Sequence, residues 1–176
     1  MLRHLGSLAG MLLCAGDLSA APPAAPACAA PEYRQFDFWL GDWEVYESAA
    51  PGTRVARVQV EPVLKGCGVL EIYAGEDGHE GRSFSIYDAT RRLWHQTWIT
   101  NRGQLLLIEG GFKSGSMQLE GADLAAYGAR TRLVRGTWEP TGTGVREVAQ
   151  RSLDGGKTWQ PWFDLQFRRH VGQGRP

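Results

Sequence analysis

The stretch FDFWLGDWEV, residues 36–45, is predicted to form a short helical turn followed by a β-strand. Phe36, Trp39 and Leu40 are spaced like neighbours on one turn of helix. After the glycine, polar and apolar residues alternate, as they do in a half-buried strand. We therefore expect a short helical turn to cap one end of a β structure, with Phe36, Phe38 and Trp39 in the core.

The chain continues as short strand-like runs that end in turn residues. The runs are DWEVYES, RVARVQVEPVL, GVLEIYA, RSFSIYD, LWHQTWIT, QLLLIEG, SMQLEG, TRLVRGTWEP, VREVAQRS and WFDLQFRR. Connections of the hairpin kind, rich in Gly, Asn and Asp, separate them. Because closing such a meander removes the free sheet edges, the sequence predicts an all-β fold, an antiparallel up-and-down barrel of about ten strands over residues 32–170.

Length and charge narrow the class of protein. A chain of 176 residues and 19.4 kDa has room for one domain with a sizeable core. Its 19 basic and 19 acidic residues give a net charge of zero, and no basic block stands out. The chain therefore lacks the electrostatic footprint of a nucleic-acid-binding protein, and we predict no nucleic-acid partner.

The N-terminus has the features of a signal peptide. Arg3 and His4 precede the apolar run LGSLAGMLLCAG at 5–16. That run is too short to cross a bilayer core of about 30 Å. We predict that residues 1–20 are a signal peptide, that the protein is periplasmic or secreted, and that no membrane span remains after cleavage.

Two cleavage sites fit the preference for small residues. LSA at 18–20 is one, and ACA at 27–29 is the other. With the first site, residues 21–31 become a flexible lead-in to the barrel. At the far end, residues 171–176 are expected to be a disordered tail.

The cleavage site decides how many cysteines remain. Cleavage after Ala20 leaves Cys28 and Cys67, an even pair in an oxidising compartment, and a disulfide between them would close a loop of about 40 residues. Cleavage after Ala29 leaves Cys67 alone as a small buried side chain. We favour the disulfide because free thiols are uncommon in exported proteins. Two separated cysteines and four scattered histidines form no metal-ligand cluster, so neither a metal nor another cofactor is predicted.

Gly41-Asp42-Trp43 forms a G-x-W at the start of the first strand. It resembles the signature of the calycin and lipocalin superfamily. The resemblance implies that Trp43 plugs one end of the barrel and that an arginine from the last strand lies across its ring in a cation–π contact. Arg168 and Arg169 are the candidates, and Arg168 is preferred.

A second resemblance covers residues 32–169. The order FDFWLGDWEV, GCGVLEIY, SIYD, LWHQTWI, LLLIEGG, TWEP, SLDGGKTW is similar to a family of exported bacterial proteins of unknown function. Members carry one Cys before the first motif and another in the GC segment, where this chain has Cys28 and Cys67. The resemblance thus implies the disulfide, cleavage upstream of Cys28 and a lipocalin-like barrel, but no substrate.

RSLDGGKTWQPW, residues 151–162, contains an S-x-D-x-G-x-T-W pattern that resembles the Asp box of sialidase-type propellers. A propeller needs at least about four blades of roughly 40–50 residues each, and the motif occurs once in this chain. We therefore predict a structural hairpin between the last two strands. Ser152 and Asp154 would bind turn amides, Gly156 would take a positive φ, and Trp159 would cover the turn.

Several strands mix aromatic and polar residues on one face, which is more typical of a ligand cavity than of a dry core. In LWHQTWIT, for example, Gln96 and Trp98 share one face and His95 lies on the other. Which face is inside depends on the strand register. The candidate lumen residues are Glu71, His95, Gln96, Trp98, Trp138 and Arg146. If Glu71 and Arg146 both pointed inward they would have to pair, because an unpaired buried charge is unfavourable.

No catalytic motif is present, neither G-x-S-x-G, H-E-x-x-H nor a phosphate-binding glycine loop. The leading hypothesis is an exported barrel that binds a small apolar or amphipathic molecule in its lumen. The second is an enzyme that uses the same cavity with His95 or Glu71 as acid/base. The third is a structural or interaction module of the cell envelope, which an exposed aromatic patch around Trp159 and Trp162 would favour.

Overall fold

The computed structural model of the protein describes residues 27–123 and 132–171. The predicted signal peptide, the first part of the predicted lead-in and nearly all of the predicted tail lie outside the described residues. Within the described ranges, no helix combines the length and the apolar character needed to cross a membrane.

Ten antiparallel strands form one closed barrel. They are β1 (Gly41–Glu47), β2 (Ala50–Val63), β3 (Gly68–Gly75), β4 (Glu80–Asp88), β5 (Leu93–Thr100), β6 (Leu105–Lys113), β7 (Ser116–Asp123), β8 (Arg132–Thr141), β9 (Gly144–Ser152) and β10 (Gln160–Arg169). Each strand pairs with the next along the chain, and β1 also pairs with β10. The predicted all-β up-and-down barrel is confirmed, and closure gives each of these strands two neighbours.

The register between the first and last strands determines which of their side chains face the interior. Trp43 lies opposite Arg169, and Val45 lies opposite Phe167. Trp43, Val45 and Phe167 are buried, whereas the intervening residues are at least partly exposed. Strand alternation therefore places one face of each strand in the lumen.

Two 3₁₀ turns, Pro31–Arg34 and Asp37–Trp39, close one end of the barrel. The rings of Phe36 and Trp39 are fully buried and stack with their centroids 4.9 Å apart. The Trp43 indole N–H donates to the Trp39 carbonyl at 2.8 Å. Burial of each such ring stabilises the fold by about 2–3 kcal/mol. We call the cluster of Phe36, Trp39, Trp43, Trp94 and Phe167 the aromatic plug.

An arginine of β10 lies over the Trp43 ring, but it is Arg169 and not Arg168. The guanidinium carbon of Arg169 is 3.9 Å from the centroid of that ring. The preference for Arg168 was wrong by one position, since Arg168 covers Tyr46 on the outer face, 4.3 Å from its ring centroid. Arg169 has the same parity as the buried Phe167, and strand alternation therefore directs it toward the plug.

A disulfide ties the segment before the plug to the barrel. Cys28 and Cys67 are bonded across a sequence separation of 39, which confirms the predicted pair. Nearby, the Arg34 guanidinium donates to the carbonyl of Gly66 in the 3₁₀ turn Leu64–Gly66. These two links hold the N-terminal segment against the closed end of the barrel.

The connections between strands alternate between the two ends of the barrel because successive strands run in opposite directions. The β2–β3 connection, which contains Leu64–Gly66, and the β4–β5 connection lie at the plugged end. The β1–β2, β3–β4, β5–β6 and β9–β10 connections lie at the opposite end, which we call the mouth.

Removing the disulfide should destabilise the barrel without changing its topology. We expect Cys28→Ser/Cys67→Ser to lower the free energy of unfolding by about 3–4 kcal/mol, because the crosslink restricts the unfolded chain. Urea denaturation followed by tryptophan fluorescence measures this. A reductant should lower the stability of the wild type by a similar amount and leave the variant unchanged; equal stability of both proteins in oxidising buffer would contradict the prediction.

Candidate functional site

The aromatic plug fills one half of the lumen, and a cavity of about 730 Å³ occupies the other half. The cavity extends to the mouth, where residues of the β3–β4 and β5–β6 connections line it. Much of its wall is apolar, formed by Leu106, Ile108, Val134, Ala149, Phe163 and Leu165. Four of the predicted lumen residues, Glu71, Gln96, Trp98 and Trp138, line this cavity.

Two glycines allow large indole rings to lie against the wall. A Cβ atom on Gly81 would come within 2.2 Å of the Trp98 ring, and one on Gly136 within 2.8 Å of the Trp138 ring. Both separations are shorter than van der Waals contact permits. The rings therefore lie over these glycines, and the lumen keeps space that the rings would otherwise fill.

Glu71 is a buried carboxyl in this cavity, with only 6% of its surface exposed. It lies opposite Ser83 in the β3–β4 register, and the Ser83 hydroxyl donates to Glu71 Oε2 at 2.8 Å. Burial raises the pKa of Glu71 to about 7, and the Ser83 hydrogen bond opposes that rise. Beside it, the Gln96 amide donates to the Ser85 hydroxyl at 3.0 Å. Glu71 is therefore an acid that changes charge near neutral pH.

A second carboxyl, Glu147, lines the same cavity and was missed by the sequence analysis. Loss of solvation raises its pKa well above the usual value, and the nearby charge of Glu71 raises it further. Trp138 lies opposite Glu147 in the β8–β9 register. The Trp138 indole N–H lowers the pKa of Glu147, yet it does not reach normal hydrogen-bond geometry and has no other partner among the described residues.

The parity of β9 could have found Glu147. In VREVAQRS, Val145 and Ala149 are the small apolar residues of one face, and Glu147 lies midway between them. Both neighbours are buried, so the shared face is the inner one. Arg146, which was predicted in its place, has the opposite parity.

His95 and Arg146 lie on the outer surface, and their prediction as lumen residues is corrected. His95 Nδ1 is 2.8 Å from Glu109 Oε1, and its Nε2 is 2.9 Å from Thr97 Oγ1. Arg146 donates to both carboxylate oxygens of Asp164, at 2.9 and 2.6 Å. The alternation of β5 and β9 explains both positions, because the residues on either side of each point inward. The conditional pair of Glu71 with Arg146 is therefore not formed.

Three aromatic side chains cluster on the wall toward the mouth. Tyr73 packs edge-to-face on Trp98, with ring centroids 5.9 Å apart, and His79 lies 5.6 Å from Tyr73. Burial and the nearby carboxylates, Asp77 first among them, raise the pKa of Tyr73 to about 12, so its phenol stays neutral. Burial lowers the pKa of His79, assisted by the positive charge of Arg102. We call Tyr73, His79 and Trp98 the aromatic cluster of the mouth.

The charged groups at the mouth are held in ion pairs with one another. Arg54 contacts Glu76 at 2.8 Å and Glu44 at 3.2 Å. Arg102 contacts Asp77 at 2.7 Å. These pairs are largely exposed to solvent and contribute little stability, but they restrict the orientation of charges around the opening.

A smaller recess of about 400 Å³ adjoins the mouth and is lined by Arg102, Arg132 and Arg151, with Asp123 among them. The Arg151 guanidinium stacks on Trp162, with its central carbon 3.2 Å from the ring centroid. Burial lowers the pKa of Arg151, and the charge of Asp123 opposes that change. Arg102, Arg132 and Arg151 thus line the recess and not the cavity that contains Glu71.

The single Asp box forms the hairpin between β9 and β10. Its hydrogen bonds are internal to the turn: the amides of Lys157 and Thr158 donate to Asp154 Oδ1 at 3.0 and 2.9 Å, and the Gly156 amide donates to Ser152 Oγ at 2.8 Å. Hydrogen bonds from the Thr158 amide and hydroxyl, and then from the Ser152 hydroxyl and the Lys157 amide, lower the pKa of Asp154 to about 2. Gly155 and Gly156 have φ angles of 75° and 90°. The indole N–H of Trp159 donates back to the Gly156 carbonyl at 3.2 Å, so the motif is engaged within the turn.

Trp159 and Trp162 do not form a shared aromatic patch. Arg135 lies 4.2 Å from the ring centroid of Trp159, and Arg151 covers Trp162. Exposed apolar side chains collect instead on the outer faces of β4, β5 and β6, where Phe84 and Leu107 flank Thr97 in the register.

Comparison of the sequence with known proteins adds no assignment of the site. No family model matches the chain, and no curated protein matches it. The resemblance to exported lipocalin-like proteins therefore stays a prediction, and the cavity is the feature that bears on function.

The raised pKa of Glu71 predicts a pH-dependent loss of stability. Because the folded protein binds this proton more tightly than the unfolded chain, the free energy of unfolding should fall as the pH rises from about 4.5 to about 7. Glu71→Gln cannot ionise, so we expect it to be more stable than the wild type by about 3 kcal/mol at pH 8 and by much less at pH 4.5. Urea denaturation at both pH values measures the difference.

Glu120→Gln is the matched control, because Glu120 is exposed on the outer face of β7. It should retain the pH dependence of the wild type. If Glu71→Gln also retained it, the assignment of the pH dependence to Glu71 would be wrong.

Proposed function

We propose that this chain is an exported lipocalin-like barrel that binds a small apolar or amphipathic molecule in its lumen. The observation that carries the proposal is the half-filled interior, with a cavity of about 730 Å³ beyond the aromatic plug. Binding pockets for small molecules have volumes of about 300–1,000 Å³ and combine apolar walls with a few polar groups. The cavity has both features, since aliphatic side chains surround Glu71, Gln96 and Glu147.

Two observations support the proposed export. Cys28 and Cys67 form a disulfide, and such bonds persist in oxidising compartments such as the periplasm or the cell exterior. The apolar run at 5–16 has the length and flanking residues of a signal peptide. A compartment outside the cytoplasm also suits a carrier of molecules that dissolve poorly in water.

An enzyme that uses the same cavity is the second candidate function. Glu71, with a pKa of about 7, has the acidity that suits a general acid or base at neutral pH. His95 does not reach the cavity, so Glu71 and Glu147 would have to carry the proton transfers. Native mass spectrometry of protein purified from the periplasm separates the two functions: a carrier retains an intact molecule, whereas an enzyme releases an altered one after incubation.

A neutral apolar dye tests the binding function directly. N-phenyl-1-naphthylamine becomes fluorescent when it leaves water, and Trp98 and Trp138 on the cavity wall can transfer excitation energy to it. We expect saturable binding of about one dye molecule per barrel, with quenching of tryptophan emission. Fluorescence that rises linearly, without saturation, would argue against a binding cavity.

A methyl group at Gly136 should push the Trp138 ring into the cavity and reduce the space for a ligand. We expect Gly136→Ala to weaken dye binding at least tenfold, because the new methyl group forces the Trp138 ring toward the lumen. Gly111→Ala is the matched control, since a Cβ at Gly111 meets no atom within 4 Å. Circular dichroism and thermal unfolding would establish that both variants fold. Equal dye affinity in both folded variants would contradict the proposed binding site.

A further inference from the structure

We propose that the ligand of this lumen is a cationic amphiphile whose ammonium group binds between Glu71 and Glu147. The inference rests on the proposed ligand-binding function and names the chemical class of the ligand. The ligand would be a protonated amine with an aliphatic or aromatic body, and its cation would lie at the inner end.

Each lumen carboxyl is paired across its strand with a hydrogen-bond donor. Ser83 lies opposite Glu71 and donates to it at 2.8 Å. Trp138 lies opposite Glu147, and its buried indole N–H has no partner at normal hydrogen-bond geometry among the described residues. Trp138 is 3% exposed, so water does not reach this donor readily. Both donors match the ionised form of the carboxyl beside them, although the Trp138 N–H does not reach normal hydrogen-bond geometry with Glu147.

The described lining of the cavity provides no positive charge beside Glu71 and Glu147 that would favour their ionised forms. In the described part of the chain, the acidic residues that line the cavity are Glu47, Glu71, Glu76, Asp77 and Glu147, and the one arginine that does so is Arg54. Arg54 lies at the mouth and is held by Glu44 and Glu76. The arginines of the adjoining recess face Asp77, Asp123 and Trp162. Among the described residues that line the cavity, none brings a positive charge to Glu71 and Glu147.

Electrostatics then favours one kind of guest. Two carboxyls that share a desolvated cavity resist ionisation, and the raised pKa values of Glu71 and Glu147 express this. A guest with a positive charge would relieve both the desolvation and the mutual repulsion of the pair. An anionic guest would oppose ionisation of the two carboxyls further, and a neutral guest would leave their ionisation as unfavourable as before.

The wall between the mouth and the carboxyls also suits an ammonium group. The aromatic cluster of the mouth presents the rings of Tyr73 and Trp98 to the cavity, and aromatic faces attract cations. Leu106, which lies opposite Trp98 in the register, offers apolar contact for a hydrocarbon body, and so do Ile108 and Val134. Cation and body thus each find a matching surface within one cavity.

Three compounds with the same chain and different head groups test the charge preference. Decylamine, decanol and decanoate would compete with N-phenyl-1-naphthylamine at pH 7.5, each below its micellar concentration. We expect decylamine to bind at least tenfold more tightly than decanol, and decanol more tightly than decanoate. Isothermal titration of each compound alone provides an independent measure of the same order.

Isosteric variants then locate the preference. Glu71→Gln/Glu147→Gln should lose the advantage of decylamine over decanol while it keeps its affinity for decanol, because the apolar wall is unchanged. Each single variant should lose part of the advantage, and Glu120→Gln on the outer face should lose none. The single variants also provide a result if the double variant fails to fold.

The outcomes separate this inference from the function on which it rests. If decanol or decanoate binds as well as decylamine, or if the double variant keeps the preference, the cationic ligand is excluded while the binding function stands. If the wild type binds neither the dye nor any of the decyl compounds, the binding function itself fails.

Discussion

The pairing of β1 with β10 is the contact on which the barrel depends, because it joins the two ends of the sheet. It brings Trp43 against Phe167 inside the barrel, with ring centroids 6.3 Å apart, and places Arg169 over the Trp43 ring. A contact between strands so distant in sequence contributes no stability until much of the chain is ordered. We therefore expect the barrel to fold slowly relative to helical proteins of this size. The aromatic plug supports the closure from within. Its large rings bury apolar surface at the closed end, whereas the rest of the lumen is hollow.

The plug also explains why a cavity exists. The 3₁₀ turns place Phe36 and Trp39 in one half of the lumen, where they fill space that strand side chains alone would leave open. In the other half no segment of the described chain enters the barrel, and the rings of Trp98 and Trp138 are folded over Gly81 and Gly136. The ionised form of the buried Glu71 in that half opposes folding at neutral pH. A stability cost at a hollow polar site, offset by dense packing elsewhere, is the usual pattern of functional sites.

The sequence was sufficient to predict the architecture and insufficient to predict the register. Alternation in LWHQTWIT placed Gln96 and Trp98 on one face and His95 on the other, and the structure keeps that division. Alternation cannot say which face is inside, because a shift by one residue exchanges the two faces. The same ambiguity accounts for Arg168 in place of Arg169 and for Arg146 in place of Glu147. Both errors are shifts of one position in strands whose charged residues occur in sequence pairs.

The two ends of the barrel differ in the contacts that stabilise them. The plugged end is crosslinked by Cys28 and Cys67 and packed with stacked rings, and both features restrict its geometry. At the mouth, the exposed charged side chains pair with one another, and the Asp-box turn makes its hydrogen bonds within the turn. The surroundings of Glu71 and Glu147 are set by their own strands and by the neighbouring strands β4 and β8, which supply Ser83 and Trp138. Trp138 in turn packs on the plug rings of Phe36 and Trp39, so the plug supports this part of the lumen. A lumen site preformed in this way can select a guest by charge without a change in the shape of the barrel, and selection by preformed electrostatics needs no moving part.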